Sequence, residues 1–144
     1  MLFGNDRNRL RGVYFEVWRK FNAGQALEPL EQRVLKVIQQ HPEYHSLLAD
    51  PDFAVERDYL PETGETNPFL HMGMHIAIHE QLASLRPPGI GDIYRRLCLR
   101  YGDAHEAEHR MMECLAETIW ESQRSQVNPD ENAYLQKLTR LART

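Results

Sequence analysis

The sequence predicts an all-α fold: a single-domain helical bundle of about six helices over residues 1–144, with a long acidic loop before the third helix. Three observations carry this expectation. Apolar residues recur at steps of three and four along most of the chain. Those stretches are bracketed by proline, glycine and asparagine at the places where helices start and stop. Nowhere do apolar and polar residues alternate as they do in a half-buried strand, and there is no internal repeat.

The first helix is expected from about Asp6 to Phe21, with Leu10, Val13, Tyr14, Val17, Trp18 and Phe21 as its apolar stripe and Asn22-Ala23-Gly24 as its end. The second begins near Glu28-Pro29, proline being suited to a first turn. Leu30, Val34, Val37, Ile38 and His41 share one side of it. Pro42 stops or kinks this helix at His41, because its ring disfavours a helical conformation in the residue before it. A short helical turn through Tyr44-His45-Ser46-Leu47-Leu48 follows.

From Asp50 to Pro68 the periodicity disappears. Asp50, Asp52, Glu56, Asp58, Glu62 and Glu65 mix with Pro51, Pro61 and Gly64, giving a long acidic surface connection over about 50–67, with Phe53, Val55, Tyr59 and Leu60 as apolar anchors. The third helix is expected over about Asn67 to Leu85, with Asn67 capping and Pro68 in the first turn. Pro87-Pro88-Gly89 punctuates the chain. A fourth helix runs from about Ile90 to Tyr101, with Ile93, Tyr94, Leu97 and Cys98 inward, and Gly102 closes it. Asp103 caps a fifth helix reaching about Gln126, and Asn128-Pro129-Asp130 opens a last one carrying Tyr134, Leu135, Leu138 and Leu141.

Composition excludes several function classes. A chain of 144 residues with 42% hydrophobic and 26% charged content is long enough to bury one substantial core and reads as soluble and globular. It has no apolar run long enough for a transmembrane span. The opening Met1-Leu2-Phe3-Gly4-Asn5-Asp6-Arg7 lacks the apolar centre of a signal peptide, so a cytoplasmic location is expected. Two cysteines, Cys98 and Cys114, imply no disulfide framework. A net charge of −4 argues against nucleic-acid binding. Arg7, Arg9, Arg11, Arg19 and Lys20 read as a solvated basic helix face. A protein partner stays open, and the oligomeric state is undefined.

The histidines are the functional clue. Each of the seven has another histidine four positions away: His41 with His45, His71 with His75, His75 with His79, His105 with His109. Chance would place a given histidine so only roughly once in twelve, and four is the step that stacks side chains on one helical face. With His71 at zero on a helical wheel, His75 and His79 lie at about 40° and 80°, among Ile78, Leu82 and Leu85, with Glu80 opposite. With His105 at zero, His109 and Glu113 lie at about 40° and 80°, beside Met112, Ala116, Ile119 and Trp120, with Met111 and Cys114 pointing away. Two inward faces of a bundle each presenting three donors make a metal site, with His71, His75, His105, His109 and Glu113 as its ligands. Glu80, Glu106, Glu108, Tyr94 and Tyr101 are candidates for fixing the imidazole tautomers from behind. His41 and His45 stay outside this set, because Pro42 breaks helical phase between them and His41 suits its helix C-terminus as a cation.

A nitrogen-and-carboxylate donor set fits iron or zinc, with manganese less favoured. Met72, Met74, Met111 and Met112 bring copper into view only weakly, since methionine is an adaptable core filler. His71-x3-His75 and His109-x3-Glu113 resemble pieces of the hemerythrin di-iron pattern without its last histidine. Glu106-x2-His109 matches half of the ferritin-like signature. Neither fragment carries a function here.

Three phrases are more specific: Asn67-Pro68-Phe69-Leu70-His71-Met72-Gly73-Met74-His75, Arg86-Pro87-Pro88-Gly89-Ile90, and Gly102-Asp103-Ala104-His105-Glu106-Ala107-Glu108-His109-Arg110-Met111-Met112-Glu113. Together with His41-Pro42-Glu43-Tyr44-His45 they resemble a bacterial family catalogued as domain of unknown function 1841, over nearly the whole chain. The resemblance implies small soluble proteins without an assigned activity, and a His79 position that need not be histidine. The expected function is a metal-binding helical bundle of undefined reaction. The alternative is a non-enzymatic interaction or scaffold protein whose histidines form a structural polar network.

Overall fold

A computed structural model describes residues 2–55, 57–59 and 67–143. Regular structure among them is entirely helical. The chain divides into two compact units, Met1–Ile76 and Ala77–Thr144.

The first unit opens with α1 (Leu2–Asn22) and α2 (Pro29–Gln39). Pro29 takes the first turn of α2 and the Glu31 carboxylate accepts from the Glu28 N–H at 2.9 Å, so the helix starts where proline and a local acid favour it. Lys20 and Glu31, 2.9 Å apart, tie α1 to α2. Pro42 ends the second helix as expected. The chain passes through a 3-10 turn (Pro42–Tyr44) into α3 (His45–Leu48) and then α4 (Pro51–Ala54). The last is a correction to the expected connection, which begins with a helical turn where proline supplies a first-turn φ. Leu60, Pro61, Glu62, Gly64 and Glu65, with Glu56, lie outside the described residues.

The core of this unit is Phe15, Val17, Val34, Val37, Ile38, Leu48, Ala54, Phe69 and Met72, with Tyr14, Trp18, Val55 and Tyr59 packed against it. Each fully buried aliphatic side chain contributes about 1.5–3 kcal/mol relative to exposure. The buried face of α1 is rotated from the expected stripe: Leu10, Val13 and Phe21 are exposed, whereas Phe15 and Arg11 are buried. Arg11 therefore leaves the solvated basic face assigned to it. Its guanidinium donates to the carbonyls of Val55 at 3.1 Å and Arg57 at 2.6 Å and lies over the Phe69 ring. Those carbonyls follow the end of α4, where no further helical N–H reaches them, and a cation there satisfies them.

The helix α5 (Pro68–Ser84) begins in the first unit and ends in the second. The second unit adds α6 (Ile90–Tyr101), α7 (Ala104–Ser125) and α8 (Glu131–Arg143). Gly102 closes α6 at φ 71°, and its N–H reaches the Cys98 carbonyl at 2.8 Å, a left-handed cap that glycine adopts without a Cβ penalty. Asp103 then caps α7 by accepting from the His105 N–H at 3.2 Å. Ile78, Ile90, Ile93, Leu97, Met111, Tyr134 and Leu138 are buried. Tyr134 donates to the Gln81 side chain at 2.7 Å, and Lys137 bridges Glu117 and Glu121 at 2.7 and 3.0 Å.

The inward face of α7 is also corrected. Its buried residues are Ala107, Glu108, Met111, Met112 and Thr118, while His105, Glu113, Ala116 and Trp120 are exposed. The helix carries apolar residues on two sides, so periodicity admitted two orientations, and the side with fewer ionisable groups is the one buried. No helix among the described residues is long and apolar enough to cross a membrane.

Candidate metal centre

At the end of α2 the Val37 and Ile38 carbonyls accept from the N–H groups of Gln40 at 3.2 Å and His41 at 3.0 Å, and two histidine rings add a second donor to each. The Nδ1–H of His41 donates to the Val37 carbonyl at 2.8 Å, and the Nε2–H of His45 donates to the Ile38 carbonyl at 2.9 Å. A carbonyl only accepts, so each contact settles which ring nitrogen carries the proton. In neutral His41 the lone pair is therefore on Nε2. Pro42 and the 3-10 turn after it make this possible by folding the chain back at once, placing Tyr44 flat against the His41 ring at 5.3 Å and His45 on Trp18 at 4.3 Å. Burial, with Glu43 beside it, pushes the Tyr44 hydroxyl above its usual range, so a neutral phenol faces His41.

The Asn67 side chain caps α5, accepting from the N–H groups of Phe69 and Leu70 at 3.0 and 3.1 Å. The next turns carry His71 and His75. Their Nε2 atoms are 3.1 Å apart and their ring centroids 4.7 Å. His41 joins them, its ring centroid 5.0 Å from that of His71 and 4.8 Å from that of His75. One ring nitrogen of each of the three lies within 4.8 Å of the others. His75 is 0% exposed and His41 3%, with His71 half-buried.

These distances have a chemical meaning. Imidazole nitrogens bind zinc at about 2.0–2.1 Å, so two donors on one ion are about 2.9 Å apart at a right angle and about 3.4 Å at the tetrahedral angle. The 3.1 Å between His71 and His75 falls inside that interval. The His41 contact to Val37 is the arrangement that orients a ligating imidazole from behind.

In the first unit, then, His71 and His75 stand together as the sequence indicated, and His41 completes a trio that periodicity had set aside. The signal for His41 was present: it shares the apolar side of α2 with Val34, Val37 and Ile38. His45 is half-buried, and the contacts that hold it are Ile38 and Trp18.

The other nominated ligands are on α7 in the second unit. His105 and His109 bring their rings to 4.2 Å, the first exposed and the second half-buried. Glu113 is exposed and lies 3.8 Å from Arg110, which also takes Glu106 at 3.0 Å. Those two carboxylates serve the helix surface. His79, at the inner end of α5, meets Glu108 at 2.7 Å, their side chains 18% and 9% exposed. Glu108 thus does what was expected of a group behind an imidazole, toward a histidine given low weight.

Searches of curated proteins and of solved structures returned no match. The family described as a domain of unknown function (DUF1841) matches residues 6–140, a span that includes all seven histidines, and the chain belongs to that family.

Proposed function

We propose that this protein binds a metal ion through the imidazoles of His41, His71 and His75. The observation that carries this reading is the convergence of three buried or half-buried ring nitrogens within 4.8 Å, one with its tautomer set by a backbone carbonyl. Burying three imidazoles side by side is costly if they protonate, because like charges then meet in a low-dielectric interior. A shared divalent cation turns the same arrangement into a favourable one. Neutral nitrogen donors without a thiolate suit zinc and iron, and copper also; manganese, which prefers oxygen donors, ranks below them. Three protein ligands leave a coordination position for water, the pattern that catalytic metal sites use.

A second reading has its own support. His41 and His45 each bond a helix carbonyl, and His71 lies within hydrogen-bond distance of His75. The histidines would then be a polar network inside a non-enzymatic scaffold whose partner is a protein. Metal analysis of the protein purified without a polyhistidine tag separates the two. The metal reading expects bound zinc or iron and a fall in Tm on chelation. One ion at a hundredfold excess over its Kd is worth about 2.7 kcal/mol, or roughly 5–10 °C for a chain of this size. The scaffold reading expects no metal and an unchanged Tm. Replacing His105 and His109 together by alanine reads whether those nitrogens belong to the ligand set.

A further inference from the structure

We propose that the second unit holds a metal position of its own, formed by His79 on α5 and Glu108 on α7. It draws on the same donor chemistry as the reading above but on different residues, so either can fail alone.

His79 Nε2 and Glu108 Oε1 are 2.7 Å apart. That is hydrogen-bond distance with a proton between them. It is also within a few tenths of an ångström of the separation of about 2.9 Å for adjacent donors on one ion. Replacing the proton by a divalent cation therefore needs little movement. The imidazole proton moves from Nε2 to Nδ1 by exchange with solvent, the Nε2 lone pair and one carboxylate oxygen take the ion, and water fills the remaining positions.

The surroundings suit a cation. Glu108 is buried on the same face of α7 as Ala107, Met111 and Met112, where low dielectric strengthens attraction to a charge. Its negative charge contributes, after burial and Cys98, to raising the Tyr94 hydroxyl on α6 to about 12. A divalent ion offsets that charge. One nitrogen and one oxygen donor place the ligand among zinc, iron(II) and manganese(II).

Calorimetric titration of the metal-free protein with zinc tests this. Wild type is expected to take one equivalent at this position beside the one assigned to His41, His71 and His75. Glu108→Gln should lose that equivalent, keeping the one that His41→Ala removes. His79→Asn preserves size and polarity, so it serves if Glu108→Gln does not fold. Zinc binding to wild type that neither Glu108→Gln nor His79→Asn diminishes overturns the proposal.

Discussion

His41 shows how much one side chain can do at a helix end. Its Nδ1–H is a second donor to the Val37 carbonyl, and this same contact turns Nε2 into the nitrogen with the lone pair. His45 adds a second donor to the Ile38 carbonyl and stacks on Trp18. The two are four residues apart, yet their substitutions should separate. His41→Ala should remove the equivalent assigned to the trio, as should His75→Ala. His45→Ala should keep the metal while costing about 1–2 kcal/mol through a lost carbonyl bond and ring contact. Metal content per chain and urea melts of the three variants check this, and equal metal loss in all three counts against the ligand set. The same residues show what the sequence made legible. His71 and His75 were readable because both stand on one unbroken helix, where spacing alone determines proximity. His41 shares the apolar side of the second helix, but the wheel of one helix does not show which other helix that side meets. Glu113 was over-read: its angle on the wheel was sound, but the helix turns that side to solvent and Arg110 takes the carboxylate.

At the scale of elements, proline, asparagine and aspartate located the helices well. The expected starts at Pro29, Pro68, Ile90 and Ala104 are the observed ones, because a missing N–H or a capping side chain acts within one turn and depends little on tertiary context. Which face is buried does depend on it. Neither the rotation of α1 that buries Arg11 nor that of α7 that buries Met111 could be taken from spacing alone. The turn at Pro51–Ala54 is too short to show a period. The Asn67 cap links element to site, since it holds the first turn of α5 immediately before His71. Asn67→Ala should cost about 1 kcal/mol. If fraying reaches His71, zinc should also bind severalfold more weakly than to a control such as Asp130→Ala, which removes the side-chain oxygen that accepts from the Ala133 N–H at 3.1 Å at the start of α8. Equal zinc affinity in the two variants would mean that the first turn of α5 does not position the ligand.

For the whole molecule, the interior phenols set the alkaline limit of stability. Burial pushes the Tyr14 hydroxyl, which packs against the core of the first unit, from 10.0 up to about 12. In the second unit burial raises Tyr94 to about 12 and also raises Tyr134, whose bond to Gln81 acts in the opposite direction. The sign follows from proton counting. Between the unfolded and folded values the unfolded chain has released a proton that the native state retains, so native stability falls as pH rises. The contribution of Tyr14 is fully present below pH 10 and is lost as pH climbs through about 12. Its size is about 2–3 kcal/mol, since each pH unit of separation corresponds to about 1.4 kcal/mol. Urea melts should therefore show a level stability from about pH 8 to 9.5 and a steep decline above it. Tyr14→Phe removes one titrating hydroxyl while keeping the ring in the core, so its decline should be shallower than that of wild type. Parallel declines for the two proteins would show that Tyr14 ionises as readily in the native state as in the unfolded chain, and that the core around it admits water.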